Sequence, residues 1–175
     1  MEHQFVGQFH HVLLSPLRET DLESLRCLRN KNAVSFLNSS EISREQQSAW
    51  YQRYLVEEYD VMFRVATTDA PQRFIGAAAL YDIDPGKKQA EFGRLLIDRE
   101  AAGRSHLGYE TTMCACEIGF KQLGLQRVYL DVYADNLPAV KTYLRAGFSV
   151  FKESKMNGRP LLYMEKNKLE VCNDQ

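Results

Sequence analysis

The chain has 175 residues, 45% hydrophobic and 26% charged, and its 22 basic and 23 acidic residues leave a formal charge of −1. Such a chain can bury a real core, and without a basic run or stripe it offers nothing to a nucleic-acid backbone. The apolar stretches fall short of a membrane span, and Met1-Glu2-His3-Gln4 lacks the basic-then-apolar pattern of an export signal, so a cytoplasmic protein without membrane contact is expected.

No repeat or Pro/Gly/Ser linker interrupts the sequence, so residues 1–175 are expected to form one domain, with a core over 9–168 and a short C-terminal tail. Residues 9–17 read as a first strand ending near Pro16, in which His10 and His11 would face opposite sides. Thr20 or Asp21 can cap a helix reaching Asn30, with Leu22, Leu25, Cys27 and Leu28 as its apolar positions. Residues 31–42 look irregular or partly helical. Ser43-Arg44-Glu45-Gln46 then matches a capping box, opening a helix that carries Trp50, Tyr54 and Leu55.

Three strands follow at 61–67, 74–81 and 90–98, separated by the turn formers Asp69-Ala70-Pro71 and Asp84-Pro85-Gly86, which predicts an antiparallel meander. Residues 108–123 form the clearest helix, with Tyr109, Met113, Cys116, Phe120 and Leu123 in one apolar stripe and Gly124 as its stop. Residues 127–133 alternate, Val128, Leu130 and Val132 against Tyr129, Asp131 and Tyr133. Asp135-Asn136-Leu137-Pro138 opens another helix, Gly147 ends it, and two strands turn at Asn157-Gly158. The order implies an α+β fold, a mixed sheet carrying helices and not a doubly wound one.

The cysteines are Cys27, Cys114, Cys116 and Cys172. Cys114 and Cys116 fall in the predicted helix, where two steps rotate a side chain by about 200° and turn the sulfurs apart. No zinc-type spacing with histidine accompanies them, so packing or surface thiols are expected and no metal.

The loop Ala101-Ala102-Gly103-Arg104-Ser105-His106-Leu107-Gly108 runs into that helix. Unpaired N–H groups and the helix dipole favour an anion such as a diphosphate there, and Arg104 could add charge. An ordinary turn with a left-handed glycine is the other reading.

Asp135-Asn136-Leu137-Pro138-Ala139-Val140-Lys141-Thr142-Tyr143-Leu144-Arg145-Ala146-Gly147-Phe148 resembles the D-N-x-x-A-x-x-x-Y-x-x-x-G-F stretch of the GNAT acetyltransferases. Leu123-Gly124-Leu125-Gln126-Arg127-Val128-Tyr129-Leu130 looks like that family's helix-to-strand entry. Ala90-Glu91-Phe92-Gly93 with Leu95-Leu96-Ile97-Asp98 looks like its central strand, in the version of the RimJ/RimL-like and amino-sugar branches. Ser15-Pro16-Leu17-Arg18-Glu19-Thr20-Asp21 matches its opening strand and helix, so the likeness covers most of the chain.

The resemblance implies a mostly antiparallel sheet splayed between its fourth and fifth strands, and transfer of acetyl from acetyl-CoA to an amine. Backbone groups of Leu95, Leu96 and Ile97 would bond the pantetheine amides, as a peptide is read at a sheet edge. Gly103, Arg104, Ser105, His106, Leu107, Gly108 and Tyr109 would hold the diphosphate. The family loop reads Gln/Arg-x-x-Gly-x-Gly/Ala. Here Gly108 takes the final place, His106 stands where the inner glycine belongs and Gly103 where the Gln/Arg belongs, unless a longer loop gives that role to Gly103-Arg104. Asn136 would cap its helix or touch the cofactor arm.

Tyr143 matches the family's acid for the departing sulfur, against a reading as a core aromatic. Glu91 is the candidate base, acting through water, against a reading as a carboxylate paired with Arg94 or a lysine; an amine can also arrive deprotonated. Alternation puts Glu91 on the face of Gly93, whose missing side chain leaves room for a ligand. Asn30, Trp50, Tyr51 and Tyr81 are expected at the acceptor end, with Trp50 stacking on a ligand or simply core. Lys31-Asn32-Ala33-Val34-Ser35-Phe36 and Ile42-Ser43-Arg44-Glu45-Gln46-Gln47-Ser48-Ala49-Trp50 look closer to nucleotide-amino-sugar acetyltransferases than to ribosomal N-terminal ones. The acceptor expected is thus a small-molecule amine or amino sugar, with a protein N-terminus, or a non-catalytic CoA-binding module, as alternatives. A homodimer through a sheet edge is compatible with the family.

Overall fold

The computed structural model describes residues 3–32 and 40–169; most of the segment compared with amino-sugar enzymes at 33–36, and Cys172, lie outside them. Eight strands form one sheet in the order β1-β2-β3-β4-β5-β6-β8-β7. They are β1 (Gly7–Phe9), β2 (Val12–Pro16), β3 (Val61–Thr67), β4 (Gly76–Asp84), β5 (Gln89–Ile97), β6 (Arg127–Tyr133), β7 (Ser149–Met156) and β8 (Arg159–Asn167). Only β5 and β6 run parallel; every other neighbouring pair is antiparallel. The helices are α1 (Leu22–Lys31), α2 (Arg44–Tyr54), the single turn α3 (Arg99–Ala102), α4 (Leu107–Lys121) and α5 (Leu137–Arg145).

The predicted first strand is in fact a hairpin. His10 takes φ +49 in its turn, and His11 donates its backbone N–H to Glu110 Oε2 (2.9 Å), tying the turn to α4. Histidine enters the left-handed region more readily than most residues, and apolar alternation carries no mark of such a turn. The Ser43 capping box is present: Gln46 N–H donates to Ser43 Oγ (3.2 Å) and Ser43 N–H to Gln46 Oε1 (2.8 Å).

The sheet separates two cores. On one face α4 and α5 cover Val12, Phe63, Leu80, Phe92, Val128 and Leu130. On the other, α1 and α2 pack Leu25, Leu28, Tyr51 and Tyr54 against Met62, Ala77, Ala79 and Leu96. Because α4 is enclosed by the sheet and by α5, its buried surface is wider than the predicted stripe. Thr111, Thr112, Cys114 and Ala115 are fully buried, while Tyr109, Met113, Phe120 and Leu123 are only partly covered. The two thiols are packing groups, pushed up to about 12 by burial and therefore unreactive near neutrality.

Asp21 holds the N-cap position of α1, one of the two places expected, but its side chain makes no cap bond to that helix. Its carboxylate accepts from Arg18 N–H (3.0 Å) and pairs at 3.2 Å with Arg64, whose side chain is 3% exposed. Arg64 also donates to the carbonyls of Pro71 and Gln72, each at 3.0 Å, so one buried cation joins the start of α1 to β3 and the β3–β4 turn.

The register between β4 and β5 shifts twice, between Tyr81 and Asp84 and again between Ala77 and Ala79, and the second shift puts the extra residue in β5. Arg94 and Leu95 stand against Ala78 alone, between the pairs Ala79–Gly93 and Ala77–Leu96, and Arg94 takes φ +51. This bulge reverses the alternation: Ala90 and Phe92 face α4, but beyond it Leu95 and Ile97 do so. Leu96 turns instead to the α1/α2 side, which Glu91 and Gly93 share.

Replacing Asp21 with Ala is expected to lower stability by roughly 3–5 kcal/mol in urea unfolding, because Arg64 is left buried without its carboxylate. A loss below about 1 kcal/mol would contradict this anchoring role.

Candidate active site

The parallel ladder of β5 and β6 joins Gln89 to Arg127, Ala90 to Val128 and Glu91 to Tyr129, and goes no further. Past that point the strands part. Leu96 and Ile97 pair on one side with β4, Leu95 sits in the bulge, and none of the three pairs with β6, which leaves backbone groups facing the gap. A groove of about 1600 Å³ opens there, lined by Phe92 to Asp98 of β5 and its end, by Asp131, Val132 and Tyr133 of β6, and by the starts of α4 and α5.

One wall is the entry to α4. Asp98 caps the single turn α3 by accepting from Ala101 N–H (3.0 Å), and Gly103 closes it with φ +60. His106 then takes φ +68 as the residue before α4, so a histidine fills a left-handed place that suits glycine. The first intrahelical bond runs from Glu110 N–H to the His106 carbonyl (3.1 Å), and the N–H groups of Leu107, Gly108 and Tyr109 precede it. These donors, with Ser105 and His106, border the groove and suit a diphosphate. Gly103 itself is not at the groove. Arg104 reaches it but pairs with Asp69 at 2.9 Å, so its charge is already shared.

A second cation, unmarked in the sequence reading, stands at this wall. Arg145 of α5 lies 4.2 Å over the Tyr109 ring, and its Nη1 donates to His106 Nδ1 at 3.2 Å. Among the described residues it meets no carboxylate. Its signal was only positional: Arg145 follows Tyr143 by two places, near the end of a helix whose start also faces the groove. Asn136 lines the groove and its side chain accepts from Ala139 N–H (3.4 Å), the geometry of a helix cap.

Tyr143, 9% exposed, sits at the gap with its ring edge-on to Phe92 of β5, centroids 6.3 Å apart. No hydrogen bond ties its hydroxyl to another described residue, and burial, helped by Asp131, pushes it up to about 12. It is a phenol at any ordinary pH.

Glu91 lies on the other face. Its Oε1 accepts from the Tyr81 hydroxyl at 2.6 Å, and burial, with Asp131 and Asp82 nearby, raises its carboxyl above the usual range despite that bond. Glu91 does not pair with Arg94, which instead holds Asp60 by contacts of 2.7 and 2.8 Å. The space expected beside Gly93 is already taken: a Cβ there would lie 2.7 Å from the Tyr81 oxygen. Asp131, expected only as a polar strand residue, borders the groove on Glu91's side and is raised by burial.

At the acceptor end Trp50 stacks on Tyr54 (5.6 Å, 12°) and is half-buried with one side on the groove, whereas Tyr51 is wholly core. The Asn30 amide is engaged with the backbone of Ile42 in both directions, at 2.9 and 3.0 Å, and so shapes the rim from outside the groove. A smaller recess of about 300 Å³ adjoins, lined by Trp50, Tyr54, Glu57, Tyr59, Asp60, Tyr81 and Asp82 among others.

The sequence model described as acetyltransferase (GNAT) domain matches residues 11–149. Spermidine N(1)-acetyltransferase of Escherichia coli (strain K12) is 28% identical over 143 residues, 81% of this chain and 74% of that protein. A crystal structure of spermidine N-acetyltransferase from Vibrio cholerae, in complex with CoA and spermine, shares the fold with TM-score 0.78 at 23% identity, over 90% of this chain and 95% of that one. The apo form of a nucleotide-linked sugar GNAT does so with TM-score 0.81 at 21% identity, covering 94% and 91%.

His106→Val is expected to lose about 1–2 kcal/mol in thermal or urea unfolding, since a β-branched residue resists the left-handed region, while His106→Asn stays near wild type. Equal stability of the two variants would contradict the conformational reading of this position.

Proposed function

The chain belongs to the GNAT acetyltransferase family and is an acetyl-CoA-dependent N-acyltransferase; we propose that it acetylates a small cationic amine, with Glu91 as base and Tyr143 as donor to the leaving sulfur. The parting of β5 from β6 carries this reading. It lets Tyr143, from the α4/α5 face, and the Glu91 region, from the α1/α2 face, address one groove. Acetyl-CoA, when bound, supplies the thioester whose acyl group is transferred. The parted edge at Leu95, Leu96 and Ile97, the free N–H groups at the start of α4 and the Arg145 guanidinium fit its amides and diphosphate.

An ammonium is not a nucleophile, so a proton must leave it first. Glu91, raised by burial, lies closer to a reference ammonium near 10.4 than an exposed carboxylate does, and so takes that proton at less cost. Tyr143 is held near 12, above a reference thiol of about 8.5. Complete transfer to the thiolate is therefore uphill by roughly 5 kcal/mol, and the phenol acts chiefly by donating a hydrogen bond as negative charge builds on sulfur.

For the acceptor, Glu57, Asp60 and Asp82 around the recess beside Tyr81 outnumber the cations there, Arg53 on its lining and Arg94 on Asp60, and the balance favours a positively charged amine, such as a di- or polyamine. Spermidine acetyltransferases among the relatives support the same class. An amino sugar is the second reading, favoured by the Trp50 face and by the nucleotide-linked sugar GNAT neighbour. Thiol release should be fastest with polyamines on a panel that includes nucleotide-linked amino sugars and peptides. Release with the sugars alone would transfer the assignment to them; binding of acetyl-CoA without release on any amine would mark a non-catalytic module.

The proposal extends to a cytoplasmic enzyme that needs no metal. It also includes a homodimer, for which the exposed edge strand β7 offers a pairing surface.

Glu91→Gln is expected to lower turnover about 100-fold at pH 7 and much less at pH 9, where more of the amine arrives neutral. The sign follows from the raised carboxyl: the wild-type rate falls as pH drops through it, and the variant loses that acid limb. An unchanged pH profile would contradict the assignment. Tyr143→Phe should lower kcat by about 100-fold or more with the KM for acetyl-CoA within a few-fold, as a group acting only on the leaving sulfur requires.

A further inference from the structure

The phenol that fills the space at Gly93 stands between the groove and the proposed base. Tyr81 faces Glu91 directly across the β4–β5 ladder, and its hydroxyl donates to Glu91 Oε1 at 2.6 Å. Three neighbours fix the ring. Gly93 admits it from one side, since a Cβ there would come within 2.7 Å of the hydroxyl oxygen and 3.0 Å of the ring edge. The Arg94 guanidinium lies 4.4 Å from the ring centroid, and Asp60 anchors that guanidinium. Glu91 orients the hydroxyl. A residue placed this tightly is preorganised for one task.

Tyr81 lines both the main groove and the adjoining recess, whereas Glu91 lines neither. An amine entering the groove therefore meets the phenol first, with the carboxylate behind it. We propose that Tyr81 is a proton relay: its oxygen takes the proton of the attacking amine while its own proton passes along the existing hydrogen bond to Glu91. This rests on the reading of Glu91 as base.

The step balances without another reagent. The amine N–H bond breaks and an O–H bond forms on Tyr81; the original Tyr81 O–H bond breaks and one forms on Glu91 Oε1. The electron pair freed on nitrogen attacks the carbonyl carbon and the carbonyl pair moves to oxygen. That pair returns as the C–S bond breaks, and the thiolate leaves with the bonding pair and ends with the second amine proton. Tyr81 ends as it began, and Glu91 returns its proton to solvent after turnover. Of the charged groups around the phenol, Glu91 of β5 and Asp131 of β6 favour this concerted passage over a standing tyrosinate, and the Arg94 guanidinium of β5 opposes them more weakly than burial and Glu91 act. Asp82 of β4 itself lines the same recess. Burial, then the bond to Glu91 and its charge, hold the hydroxyl protonated far above the ordinary phenol range.

Tyr81→Phe tests the relay with little risk to the fold, because the ring keeps its place over Gly93 and beneath Arg94. Steady-state rates with acetyl-CoA and the best amine should be measured from pH 5.5 to 9.5 (about the range of the titrations concerned) for Y81F, E91Q and the double variant. The relay predicts a plateau rate about 100-fold down in Y81F, KM values within roughly threefold, and a double variant no slower than the slower single one. An acid limb moved in pH with the plateau retained would show that Tyr81 only holds and tunes Glu91, and would overturn the relay. So would a wild-type Y81F beside a slow E91Q, which leaves Glu91 as base through water, or losses that multiply in the double variant. A wild-type E91Q removes the base reading itself, and the relay with it.

Discussion

Parallel pairing between β5 and β6 lasts for three residue pairs and stops at Glu91 and Tyr129. A continuous sheet keeps its two faces apart by the thickness of the backbone layer, and groups on opposite faces cannot address one small molecule. The parted strands remove that barrier. Phe92 and Tyr143 then reach the gap from the side of α4 and α5, while Tyr81, Asp131 and Trp50 line it from the side of α1 and α2. The same parting frees backbone groups at Leu95, Leu96 and Ile97, which in a closed sheet would be spent on β6. The proposed recognition of an extended, amide-bearing arm and the access to two differently placed hydroxyls thus have one physical origin.

The groove is bordered by local strain. Arg94 at the bulge and His106 before α4 both occupy the left-handed region, which is unfavourable for residues with a Cβ by about 1–2 kcal/mol each. Each is held by its side chain: Arg94 by Asp60 and the Tyr81 ring, His106 by Arg145, which rests in turn on Tyr109. Both lie on the rim of the groove. Strain that persists next to a site, over-determined by its neighbours, accords with pre-organisation of that site.

Much of this was legible from periodicity. The strands at 61–67 and 127–133 appear as read, the capping box at Ser43 appears as read, and the D-N…Y…G-F stretch points to the family whose model matches residues 11–149. What escaped had no local signature. The turn at His10 interrupts an apolar alternation that continues on both sides of it, and the burial of Cys114 beside Thr111 follows from α4 being enclosed on two sides, not from a stripe. Asp21 has the composition of a cap, but Arg64, 43 residues away, claims it. Gly93 does make room, yet for Tyr81 of the neighbouring strand. The bulge at Arg94 inverts which residues of β5 face which helices, and no residue type announces it. In each case long-range packing decided between options that local pattern left equal.

Amide hydrogen exchange with and without CoA tests the central claim most directly. The account predicts that the ligand slows exchange in two separated stretches, 95–97 on the parted edge of β5 and 107–109 at the start of α4, while the ladder at Gln89, Ala90 and Glu91 is unaltered. Binding that leaves both stretches exchanging as before, or that protects only the outer faces of the sheet, would contradict a site made by the parting of β5 from β6.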